Sequence, residues 1–92
     1  MTAKDAQTMM DLQTETQALA RADLDIEAGK MRVEQQRTLV RTLQATDKNT
    51  EMAASLLSTL QDALAAMQGH REFIVARIAQ LSQSVPPDPT TR

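Results

Sequence analysis

The chain has 92 residues, 41% of them hydrophobic and 24% charged, with one aromatic ring and no cysteine. Without cysteine there are no disulfides, thiolate nucleophiles or thiolate metal sites, so stability has to come from packing. Twelve acidic against ten basic residues give a net charge of −2, too little positive field to hold nucleic acid or an anionic membrane surface, and neither is expected as a partner.

The residue types point to an all-α chain. Ala, Leu, Met, Gln, Glu and Arg make up more than half of the chain and are among the better helix formers, whereas strands favour β-branched and aromatic residues, of which the aromatics number one. Gly29 and Gly69 are the two glycines, and all three prolines fall in the last seven residues, which leaves a long stretch free to be helical. No apolar run approaches the roughly 20 residues that cross a bilayer, and Met1 to Asp5 lack the apolar stretch of a signal peptide, so a cytoplasmic address is expected.

In chain order, residues 1–7 are expected to fray, since nothing in a hairpin lies opposite them. A first helix is expected over 8–45. Leu12, Leu19, Ile26, Val33 and Val40 recur every seven residues, and Ala22, Gly29 and Leu43 follow members of that row by three, which defines a seam along one face. Gly29 lowers helix propensity by about 1 kcal/mol, so it signals close approach of a neighbour, with Met67 or Gln68 expected opposite. Charge along this helix is uneven. Residues 5–27 hold six acids against Arg21, a net of −5, whereas Lys30, Arg32, Arg37 and Arg41 against Glu34 give +3 over residues 28–41.

Thr46, Asp47, Lys48 and Asn49 carry turn chemistry and should end the first helix at a turn over 46–49. Asn49 can cap a second helix, expected over 50–83, with Glu51 favourably placed at its positive end. Its seam runs Ala53, Leu60, Met67, Ile74 and Leu81, accompanied by Leu57, Leu64 and Ile78. Two seams joined by a tight turn predict an antiparallel two-helix hairpin. Pairing about Asp47 sets Val40 near Leu57, Val33 near Leu64, Ile26 near Arg71 and Leu19 near Ile78. Arg71 then lies among apolar neighbours and is expected to pair with an acid among Asp23, Asp25 and Glu27. Residues 84–92, with Pro86, Pro87 and Pro89, are expected to form a disordered tail.

Catalytic constellations are missing from the pattern. His70, the single histidine, lies on the second helix without a proline five residues on, and without the lysine and glycine that follow the acceptor of a phosphotransfer domain. Its row, Leu56, Ala63, His70 and Arg77, borders the seam, which favours packing over chemistry. Met67 stands three residues before it, where a Glu-x-x-His ligand pair would need a glutamate, so no metal and no cofactor are expected. Ser55, Ser58, Ser82 and Ser84 occur without a nucleophile motif. The chain is therefore not expected to be an enzyme.

The stretch Ile26, Glu27, Ala28, Gly29, Lys30, Met31, Arg32, Val33, Glu34, Gln35, Gln36, followed by Val40 and Leu43, resembles short bacterial helical-hairpin proteins of unknown function. That group has an Ala-Glu-Gly step, a Gly-x-Asp-Thr turn and an Ala-x-x-Leu-Leu run. Here the first two residues of the step are reversed as Glu27 and Ala28. The turn appears as Asp47, Lys48, Asn49, Thr50, with Asp47 in place of glycine, and the run as Ala53, Ala54, Ser55, Leu56, Leu57. The resemblance implies the hairpin and carries no activity.

A helix pair shares a single layer, so a second hairpin is the expected source of further burial, making a homodimeric four-helix bundle. Met10, Leu24 and Met31 form an apolar row outside the seam, and Ala65, Gly69 and Ala76 offer small residues on the second helix. These six are the expected interface. The expected function is that of a non-enzymatic interaction or assembly module, acting through self-association and through an unidentified protein partner. The alternative is a phosphorelay-type signalling module using His70.

Overall fold

Two long helices make up the described part of the chain, residues 3–84 of a computed structural model. Helix α1 spans Ala3–Ala45 and helix α2 spans Glu51–Ser84. Helix α1 starts five residues before the expected position, so residues 3–7, expected to fray, are helical. Local bonds account for this: Gln7 Nε2 donates to Asp11 Oδ1 at 3.0 Å, the Thr8 hydroxyl donates to the Lys4 carbonyl at 3.0 Å, and Asp5 lies in the first turn, where a carboxylate complements the helix dipole. Met1, Thr2 and nearly all of the expected tail, residues 85–92, lie outside the described residues. Ser84, expected to open that tail, is the last residue of α2.

The turn between the helices is built by backbone chemistry. The Lys48 amide donates to the Leu43 carbonyl at 2.9 Å and the Asp47 amide to the Gln44 carbonyl at 3.2 Å, with Asp47 in the left-handed region at φ 56°. That pattern closes the last carbonyls of α1 and reverses the chain. One residue further on, Asn49 Oδ1 accepts the Glu51 amide at 2.9 Å and so caps α2, as its position in the sequence predicts.

The two helices pack along the expected seams. Ala22, Ile26, Gly29, Val33 and Val40 are buried from α1 and Ile74 from α2, while Leu19, Leu57, Leu60, Leu64, Met67 and Ile78 are half-buried. A Cβ built on Gly29 would come within 2.9 Å of Met67 Cε and 3.3 Å of Leu64 Cδ1, which makes this the place where a side chain of α2 closes onto the α1 backbone. Polar groups bridge the seam as well. Gln36 Nε2 donates to the Ala53 carbonyl at 2.9 Å, and Glu15 faces Arg77 at 3.7 Å. The molecule is a rod with extents of 68 × 21 × 14 Å.

Candidate interaction surfaces

A two-helix hairpin has four surfaces: two outer faces, each directly opposite one helix's seam, and two flanks where both helices contribute. Leu24 lies midway between the seam positions Ala22 and Ile26, and steps of about 100° per residue place it about 180° from the seam. It is 70% exposed, with Met10 at 61% and Met31 at 63% on the same row. Gly69 lies midway between Met67 and Arg71 and is likewise opposite the seam of α2. Nothing lies within 4 Å of the position a Cβ would take there. Ala65 and Ala76 are exposed beside it.

The structure thus does not bring the six expected interface residues together. Met10, Leu24 and Met31 sit on the outer face of α1, and Ala65, Gly69 and Ala76 on that of α2, so the two sets point away from each other. The physical reason is that both sets are defined by distance from a seam, and the two seams face each other. No single symmetric contact between two hairpins can use both.

The flanks differ from one another. On the first, Asp23, Ile26, Glu27, Lys30, Gln68, Arg71 and Glu72 line a shallow groove. Arg71 Nε donates to Asp23 Oδ1 at 2.5 Å, which is the ion pair expected of this arginine. Both side chains are about half exposed, so the pair is worth about 0–1 kcal/mol. Lys30 pairs with Glu27 at 3.2 Å and Arg37 with Glu34, which makes this flank a solvated, self-neutralising surface.

On the second flank, Ala22, Asp25, Ala66, Met67 and His70 line a groove. Seven-residue steps from these positions place Asp11, Ala18, Arg32 and Leu39 on the same side of α1, and Met52, Leu56, Ala63, Phe73 and Arg77 on the same side of α2. Four of these are large exposed apolar groups: Met52 is 87% exposed, Phe73 69%, Leu56 48% and Leu39 45%. Sequence reasoning singled out the row Leu56, Ala63, His70 and Arg77 but passed over the row Met52, Thr59, Ala66 and Phe73 beside it. Together the two rows repeat at alternating three- and four-residue steps, the same signal as a seam, though diluted by Thr59, His70 and Arg77.

His70 itself is exposed on this flank, with Asp25 across the groove. Among the described residues no group of three His, Cys, Asp or Glu side chains is placed to hold a metal ion, and no helix is long and apolar enough to cross a membrane. Neither a protein-family model, nor a curated protein, nor a solved structure matches the chain.

Proposed function

We propose that this chain is a non-enzymatic assembly module that works as a homodimer of hairpins, a four-helix bundle, and that needs no cofactor. The observation carrying this reading is the mismatch between a thin core and a well-supplied surface. Among the described side chains of α2 Ile74 is the one that is buried, while Met52, Leu56, Phe73 and Val75 on the same helix are exposed. A lone helix pair of this size buries too little apolar surface for strong stability, and a second hairpin supplies the missing layer. The outer row Met10, Leu24 and Met31 is then left for a protein partner, and a cytoplasmic setting and kinship with the short bacterial hairpin proteins it resembles belong to the same reading.

Sedimentation equilibrium at tens of micromolar should give twice the 10.1 kDa chain mass. A single-chain mass across that range would sink the proposal. The second reading, a phosphorelay module, is favoured only by the exposure of His70 next to Asp25. Acid-labile phosphate appearing on the protein after incubation with a histidine kinase, and lost in His70→Ala, would put that reading first.

A further inference from the structure

We infer that the occupant of the flank bearing Asp25, Ala66 and His70 is a second copy of this chain, packed antiparallel, so that α1 lies on α1 and α2 on α2 with the turns at opposite ends. The inference rests on the self-association proposed above and specifies its surface and direction.

Charge selects the direction. The half of the rod nearer the turn, residues 28–66, carries five bases against four acids, a net of +1. The open half, residues 3–27 with 67–84, carries seven acids against four bases, a net of −3. Parallel hairpins would stack two open ends of −3, whereas antiparallel hairpins set each open end against the positive half of its copy.

The same symmetry operates at the level of single residues. A twofold axis between Asp25 and Arg32, which are seven residues apart on one row, places Asp25 opposite Arg32 of the second copy, twice per dimer. Arg32 makes no ion pair among the described residues, and Asp25 reaches Arg21 at 3.5 Å on its own helix. On α2 the corresponding axis falls between Ala63 and His70. These two levels coincide in the hairpin, because Gly29 lies against Met67 and Asp25 shares a groove with His70.

Small residues occupy the axis, Ala28 on α1 and Ala66 on α2, so the backbones can approach. Away from it Leu39 falls opposite Ala18 of the copy, and Phe73 comes within reach of Leu56 of the copy. The overlapped flank measures about 50 Å by 20 Å, from a rise of about 1.5 Å per residue and two helix diameters, which matches the roughly 800 Å² per partner of a stable interface.

Because the chain has no cysteine, single-cysteine variants report the geometry cleanly. Ala66→Cys, kept in mild oxidant, should form a disulfide-linked homodimer, since the two copies of residue 66 face each other across the axis within the Cα separation of about 4.4–6.8 Å that a disulfide needs. Parallel packing would instead set residue 66 opposite residue 28 of the copy. A crosslink that forms only when Ala66→Cys and Ala28→Cys chains are mixed would therefore overturn the inference. As a second measurement, Arg32→Asp should weaken dimerisation roughly tenfold at low salt, and Asp25→Arg combined with Arg32→Asp should restore it. A dimer by sedimentation that shows neither the crosslink nor the charge rescue leaves self-association standing and refutes this surface, whereas a monomer refutes both.

Discussion

Gly29 and Gly69 are the same residue in the same helical backbone, and their surroundings give them opposite meanings. An alanine at either position gains about 1 kcal/mol of helix propensity. At Gly69 nothing opposes that gain, because no atom lies within 4 Å of the added methyl. Gly69→Ala should raise the melting temperature by about 4–8 °C, measured by circular dichroism. At Gly29 the methyl meets Met67 Cε and Leu64 Cδ1. A methionine end can swing aside, but the displaced contacts offset the propensity gain, so Gly29→Ala should stay within about 0.5 kcal/mol of the parent and Gly29→Val should lose about 1–3 kcal/mol. If Gly69→Ala instead weakened association, a second helix would have to approach closely at the outer face of α2.

The helix ends carry the connection, and each end relies on one side chain or one backbone angle. Asp47 holds φ 56°, a conformation in which a Cβ is strained and glycine is not. Asp47→Gly should therefore stabilise the hairpin, by up to about 1 kcal/mol, while Asn49→Ala, which removes the acceptor of the Glu51 amide, should cost about 1 kcal/mol. Urea unfolding of the two variants measures both, and equal midpoints would show that the turn is not under local control.

The turn and both seams were legible in the sequence because seven-residue spacing carries phase and Asn49 carries a cap. The start of α1 was not, since the seam begins only at Leu12 and the first turns depend on local contacts such as Gln7 with Asp11. The second flank was hidden for a related reason: its apolar groups alternate with Thr59, His70 and Arg77, and only the packing of α1 shows that this side of α2 is left uncovered. Gln36 gave no signal at all, because an amide on a seam reads as a flaw until its bond to the Ala53 carbonyl is seen.

At the scale of the whole molecule the hairpin is long, narrow and joined at one end, and that shape has a consequence for how it forms. Contacts near the turn close short loops: Gln36 and Ala53 are 17 residues apart, whereas Asp23 and Arg71 are 48 apart. The entropy of loop closure rises with loop length, so pairing is cheapest beside the turn and each formed rung shortens the next closure. The hairpin should zip from Asp47 toward the open end. Val40→Ala, next to the turn, should then slow refolding, while Ile74→Ala, toward the far end, should mainly speed unfolding. Stopped-flow measurement of both arms of the chevron separates the two, and a reversed pattern would mean that nucleation starts elsewhere. The same gradient makes the open end the first part to melt under tension or protease, so the length of the rod also acts as a graded scale of local lifetimes, longest at the reversal and shortest at the tips.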